Sequence, residues 1–145
     1  MYKEEKFVNS VFPEYKMVKS EIEYLGLPYT DDDPAMEDWR ADISDRVAAD
    51  LFTREGRIIF APISAWHHIA RKYALPGTFE YWAKFDEEFI KMSAKLLIIM
   101  LPGWEYSTGV NGEIKLANKY SIPVEYIDPE PYLTDEEKEK ENGKG

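Results

Sequence analysis

Cysteine is absent from this sequence of 145 residues. That absence excludes a disulfide scaffold, a thiolate-bound zinc ion and a cysteine nucleophile. It also agrees with a reducing compartment. No apolar run follows the charged start Met1–Lys6, so the sequence carries no signal peptide pattern. We therefore expect a cytoplasmic protein.

Long hydrophobic runs are also missing. The longest one, Leu96–Leu101, has six residues, whereas a membrane-spanning helix needs about 20. Positive charge is scarce as well, because 18 Lys and Arg stand against 28 Asp and Glu, for a net charge of −10. This balance disfavours binding to duplex nucleic acid and to anionic membranes. We expect neither as a partner.

Apolar and aromatic residues are plentiful, at 44% and 14% of the chain. That composition favours one globular domain with a real core over a disordered chain. We place the domain at residues 21–133. Residues 1–20 are weakly patterned and indicate an arm or a short helix. Residues 134–145 contain no apolar side chain, which predicts a charged, disordered tail.

Strand and helix patterns alternate along residues 21–133. Strands are expected at Glu21–Leu27, Arg57–Ala61, Leu96–Leu101 and Ile122–Ile127. Helices are expected from Asp33, which can cap the first one, to Gly56, which ends it, and also from Thr78 and around Val110, with a loop or short helix around Trp66. This alternation predicts an α/β fold: a three-layer, Rossmann- or flavodoxin-like parallel sheet with helices on both faces. Ligands bind such sheets at the carboxyl ends of the strands.

A loop rich in Gly, Ser and Thr follows the buried strand and leads to Glu113. Backbone N–H groups at such a junction can hold an anion such as phosphate. We expect Glu113 in or near the first helical turn, where the helix dipole stabilises a carboxylate by about 0.3–1 kcal/mol. An ionised, positioned carboxylate suits a nucleophile. The alternative is a Glu that only stabilises the helix start.

A second carboxylate, Asp86, borders the apolar stripe of the helix before the buried strand. It follows Trp82 by one helical turn, and its place in that helix predicts that it lies on the side of Glu113. The alternative is a solvated acidic face formed with Glu87 and Glu88.

Four segments resemble motifs of one enzyme family in order and spacing. They are Tyr24–Tyr29, Gly56–Ser64, the helix with Trp82 and Asp86, and Gly103–Ala117. The first is similar to the family motif Tyr-Leu-Ala-Gly-Pro-Tyr. On these motifs the chain resembles the nucleoside 2-deoxyribosyltransferase superfamily. It is most similar to phage and bacterial proteins related to the 2'-deoxynucleoside 5'-monophosphate N-hydrolases.

The resemblance implies an N-glycosidase or a base-exchanging transferase that acts on a nucleoside or nucleotide. Glu113 matches the nucleophile that attacks the anomeric carbon, and Asp86 matches the acid that helps the base leave. Ser107 with Gly109 resembles relatives that act on monophosphates.

The predicted substrate-binding residues are Tyr24, Gly26, Pro28, Tyr29, Trp66, Gly103, Trp104, Ser107 and Gly109. Among them, Tyr29, Trp66 and Trp104 are aromatic residues that could stack on a nucleobase. The alternative for each tryptophan is packing in the core or an interface, which we expect for Trp39 and Trp82. The resemblance implies no cofactor and no metal. It does imply a homo-oligomer, a dimer or a larger assembly.

Three alternatives stay open at this point. Base exchange would make the chain a transferase rather than a hydrolase. Ala94 and the first loop, Gly26-Leu27, depart from the family pattern and leave room for a nucleotide sensor without turnover. A purely structural or interaction protein is the third. His67 and His68 point apart in most local structures, which disfavours a metal site, although one of them can border the pocket.

Overall fold

The computed structural model of the protein describes residues 20–144. Its centre is a four-stranded, fully parallel sheet with the strand order β2-β1-β3-β4. The strands are β1 (Ile22–Gly26), β2 (Ile58–Phe60), β3 (Lys95–Ile99) and β4 (Val124–Ile127). The chain moves from β1 outward to β2 and then returns to the other side of β1. A crevice therefore forms at the carboxyl ends of β1 and β3.

Within the described residues, five helices surround the sheet. They are α1 (Pro34–Glu55), α2 (Pro62–Lys72), α3 (Phe79–Lys91), α4 (Thr108–Lys119) and α5 (Asp135–Lys144). Two short 3-10 turns, Trp104–Tyr106 and Glu130–Tyr132, lie in the loops that follow β3 and β4. In residues 20–144, no helix is both long enough and apolar enough to cross a membrane.

The helix boundaries follow from local capping. The Asp33 side chain accepts a hydrogen bond from the Ala35 N–H, and Pro34 occupies the first helical position of α1. Gly56, at φ 67°, ends that helix in the left-handed conformation that glycine adopts readily. Thr78 caps α3 by accepting from the Tyr81 N–H. These are the boundaries that the sequence predicts.

The core has two halves, one on each face of the sheet. Leu25, Leu97 and Ile99 pack against α1 on one face. Tyr24, Leu96 and Ile98 pack against α3 and α4 on the other. Both central strands are therefore buried on both faces, as near-continuous apolar strands of a parallel sheet are. The predicted three-layer α/β class is confirmed.

The C-terminal segment differs from its prediction, because residues 135–144 form α5 rather than a disordered tail. Thr134 and Glu137 make reciprocal bonds, each side chain accepting from the other's backbone N–H. This is a capping box. The Glu137 carboxylate also accepts from Arg46 and from the indole N–H of Trp39 on α1. Long-range contacts therefore order a segment without apolar residues. The predicted N-terminal arm lies outside the described residues, apart from Ser20.

Candidate active site

A cleft of about 940 Å³ opens at the carboxyl ends of β1 and β3. Its walls come from the loop after β1, from α2 and α3, and from the start of α4. Nine of the eleven predicted site residues line it: Tyr24, Pro28, Tyr29, Trp66, Asp86, Gly103, Ser107, Gly109 and Glu113. The fold therefore brings together side chains that are up to 89 positions apart in the sequence.

Glu113 projects from α4 onto the last residue of β1. Only 8% of its surface is exposed. Gly26 does not line the cleft but lies directly behind this carboxyl group, since a Cβ atom built on Gly26 would collide with Glu113 Oε1. Glycine is therefore required here for the close approach of backbone and carboxylate.

Tyr24 connects the two acidic residues. Its hydroxyl donates a 2.7 Å hydrogen bond to Asp86 Oδ1 from within the core. The pKa of Tyr24 is raised well above its usual value, first by burial and then by the negative charges of Glu113 and Asp86. The phenol therefore stays protonated and acts as a donor between the carboxyl groups. Asp86 lies on the Glu113 side, as predicted, and is not part of a solvated acidic face.

Burial makes ionisation of both carboxyl groups costly. It raises the pKa of Asp86 to about 6, although the hydrogen bond from Tyr24 opposes the shift. The pKa of Glu113 is raised further, by burial first and by the charge of Asp86 second. Two such groups titrate as a pair. The pair therefore favours a state with one proton between them.

The start of α4 differs from the sequence expectation. The helix begins at Thr108, with Ser107 as its N-cap, so Glu113 lies in the second turn. The helix dipole weakens beyond the first turn, and the expected stabilisation of an ionised Glu113 is therefore wrong. Ser107 Oγ accepts from the Val110 N–H, which leaves its own O–H free to donate into the cleft.

Aromatic side chains form one wall of the cleft. Trp66 of α2 packs edge-to-face on Trp82 and Phe85 of α3, with ring centroids 5.7 Å from each. All three line the cleft, although sequence reasoning placed Trp82 in the core or an interface. The stripe of α3 gave no sign of this, because cleft-facing and core-facing aromatics share one periodicity.

Trp104 is not in this cleft. It lies on the 3-10 turn after β3, and its ring centroid is 5.3 Å from that of Tyr126 on β4. It borders a smaller hollow on the other side of the loop. Gly103, at φ 90°, turns the chain between the two sides. The structure therefore does not support a base-stacking role for Trp104 in the cleft.

A polar cluster at the cleft connects Tyr29, a predicted site residue, with His67, one of the two histidines expected to be able to border the pocket. Sequence reasoning did not predict this connection. His67 lies 2.5 Å from the Tyr29 hydroxyl and 3.0 Å from Asp38 Oδ1. Arg40 donates to the backbone carbonyls of Tyr29 and Thr30, so it shapes the loop after β1. These residues come from three separate elements, and no local pattern connects them. In residues 20–144, no group of three or more His, Asp or Glu residues has a geometry that could hold a metal ion.

Comparison with known proteins gives a family without a described activity. Residues 21–128 match the family described as "Domain of unknown function (DUF1937)". Since the match covers most of the chain, the protein belongs to this family. A search of curated proteins found no match.

Proposed function

We propose that this DUF1937 member hydrolyses the N-glycosidic bond of a 2'-deoxynucleoside 5'-monophosphate through a covalent intermediate on Glu113. One observation carries the proposal: two buried carboxyl groups and a tyrosine meet in a cleft at the carboxyl ends of β1 and β3. In a two-step displacement at an anomeric carbon, one carboxyl group of such a pair is the nucleophile and the other is the acid and then the base.

In the first step, the pair reacts in the form that holds its single proton on Asp86, which burial of Glu113 makes the less populated form. In this form an ionised Glu113 oxygen forms a bond to C1' of the sugar. The bond between C1' and the base nitrogen breaks, and its electron pair stays on the base. Asp86 donates its proton to the departing base. A raised pKa of about 6 keeps this carboxyl group protonated for part of the time near neutral pH.

In the second step, water attacks C1', and the bond between C1' and Glu113 breaks. Asp86, now ionised, accepts a proton from that water. The products are the free base and deoxyribose 5-phosphate. Tyr24 donates to Asp86 throughout and holds its carboxyl group in place. When Asp86 takes up the proton of the water, its negative charge beside Glu113 disappears, which favours release of Glu113 as a carboxylate.

The start of α4 supports a phosphate group on the substrate. Ser107 offers a hydroxyl donor, and the first N–H groups of the helix have no intrahelical acceptor. The net charge of −10 gives no long-range attraction for an anion. Phosphate recognition therefore depends on these local donors.

Release of free base from a panel of deoxynucleosides and their 5'-monophosphates tests the proposal. We expect base release from at least one monophosphate, and its loss in Glu113→Gln. Glu105→Gln is the matched control, because Glu105 is exposed and lies outside the cleft. Undiminished base release in Glu113→Gln would refute the nucleophile assignment.

The same assay separates the alternatives. With a second free base present, a new nucleotide that carries this base would identify a transferase. If calorimetric titration shows that a monophosphate binds but the assay detects no base release, the chain is a nucleotide-binding module.

A further inference from the structure

A second polar system lies in the same cleft, apart from the Glu113–Asp86 pair. Tyr29, from the loop after β1, and His67, from α2, both line the cleft. Tyr29 Oη lies 2.5 Å from His67 Nδ1, and His67 Nε2 lies 3.0 Å from Asp38 Oδ1 on α1. The Tyr29 and His67 rings are packed edge-to-face, with centroids 5.6 Å apart. Three elements thus fix the orientation of the Tyr29 hydroxyl.

The direction of these hydrogen bonds follows from what each group can donate. The Asp38 carboxylate only accepts, and it forms a 3.0 Å ion pair with Arg71. His67 therefore donates to it from Nε2. In a neutral imidazole the other nitrogen is then an acceptor. The Tyr29 hydroxyl must consequently donate its proton to His67 Nδ1.

A tyrosine in this arrangement offers a ligand only an acceptor. Its single proton is used by His67, so the Tyr29 hydroxyl at the cleft can only accept from a ligand. Burial raises the pKa of Tyr29 and the charge of Glu37 adds to this shift. Arg71 opposes the shift, but the net direction is upward and the phenol keeps its proton. A carbonyl oxygen placed against Oη would find no donor there, whereas an amino group would donate to it.

We propose that Tyr29, oriented by His67 and Asp38, selects nucleotides whose base presents an amino group rather than a carbonyl oxygen. This selection rests on the proposed function, because the base is the part of the nucleotide that extends from C1' along the cleft. Trp66 precedes His67 on α2 and lies in the same wall. Adenine and cytosine carry such an amino group, whereas hypoxanthine and uracil carry a carbonyl oxygen at the equivalent position.

Calorimetric titration at pH 8, where histidine is ordinarily neutral, tests the selection. The protein carries Glu113→Gln so that no ligand is consumed. The ligands are two pairs of 2'-deoxynucleoside 5'-monophosphates, adenosine against inosine and cytidine against uridine. We expect the amino member of at least one pair to bind about tenfold more tightly than its carbonyl partner.

Two variants and a matched control identify the origin of the preference. Tyr29→Phe should bring the two members of the pair to equal affinity. His67→Leu should do the same, because the freed hydroxyl proton can then reach a carbonyl oxygen. His68→Leu, at the exposed neighbouring position, should keep the tenfold ratio.

Three results would overturn the inference: equal affinities in the Glu113→Gln protein, a preference that survives Tyr29→Phe, or no binding of either pair. A preference without any base release by the wild-type chain would reject the proposed function and retain this inference. Base release without a preference would reject this inference alone.

Discussion

At the residue scale, one glycine fixes the position of the proposed nucleophile. Gly26, at the end of β1, has room for no side chain, because Glu113 Oε1 occupies the space that a Cβ atom would need. Motif similarity pointed to both residues but not to their contact. A contact between a strand end and the second turn of a helix 87 positions later depends on the assembled sheet, which no local pattern encodes.

Gly26→Ala should therefore displace the Glu113 carboxyl group and lower kcat for base release about 100-fold, as a misplacement of about 1 Å can do. The measurement is kcat with the best monophosphate, alongside the far-ultraviolet circular dichroism spectrum as a check of folding. Gly77→Ala is the control, because its new methyl group would meet Thr30 at 3.5 Å, an ordinary contact distance. Equal activity in the two variants would contradict the assigned contact.

For Asp86, the proposed catalytic role and the stability of the fold place opposite demands on the carboxyl group. Burial raises the pKa of Asp86 in the folded state to about 6. The protonated group therefore contributes fully to the unfolding free energy below about pH 4, and this contribution is lost as the pH rises through about 6. Asp86→Asn should remove this loss. The substitution also removes a charge that raises the pKa of Glu113, which favours the variant at higher pH in the same direction. Between pH 5 and pH 8 the variant should gain about 1 kcal/mol in unfolding free energy relative to wild type.

Urea unfolding of both proteins at the two pH values measures this difference, and contributions from the two histidines cancel because both proteins contain them. Base release by Asp86→Asn should fall at the same time. A difference between the proteins that does not change with pH would show that Asp86 titrates normally.

At the scale of elements, capping residues and apolar periodicity predicted most boundaries. Asp33 and Thr78 start helices, and Gly56 ends one, through bonds within a few residues. The α5 helix was not predicted, because the contacts that order it are made with side chains of α1. Its local signal, the pattern Thr134-x-x-Glu137, is a capping box, but composition alone argued for disorder.

Glu137→Ala tests the docking of α5. The variant loses charge-assisted bonds from Arg46 and a bond from Trp39, so we expect a loss of about 1–2 kcal/mol in unfolding free energy. The midpoint of urea unfolding reports it. Glu136→Ala, at an exposed position of the same helix, should change stability by less than about 0.5 kcal/mol. Equal effects of the two substitutions would mean that α5 does not dock in solution.

At the scale of the whole molecule, the strand order decides where the site is. Alternating patterns predicted a parallel sheet, but adjacency of β1 and β3 brings Tyr24, Asp86 and Glu113 to one crevice. Trp104 shows the limit of sequence reasoning, since the turn at Gly103 directs it to the opposite side of the loop. The polar cluster around His67 likewise exists only in the assembled molecule.

The homo-oligomer remains a prediction, and an exposed tyrosine beside the cleft offers a way to test it. Tyr106, on the loop beside the α4 start, is 87% exposed and borders the cleft. Exposed aromatic residues are enriched in interfaces between subunits. We expect a dimer or larger assembly by light scattering coupled to size exclusion, and a shift towards monomer in Tyr106→Asp. A monomeric wild-type chain at micromolar concentration would contradict this expectation.

Trapping the covalent intermediate is the most direct test of Glu113 as the nucleophile. The wild-type protein is mixed with a 2'-deoxynucleoside 5'-monophosphate from which it releases the base. The reaction is quenched in acid within the first turnover, and the protein is digested and analysed by mass spectrometry. We predict a deoxyribose 5-phosphate adduct on the peptide that contains Glu113, and its absence in Glu113→Gln. Base release with an adduct on any other residue, or undiminished base release in Glu113→Gln, would show that Glu113 is not the nucleophile.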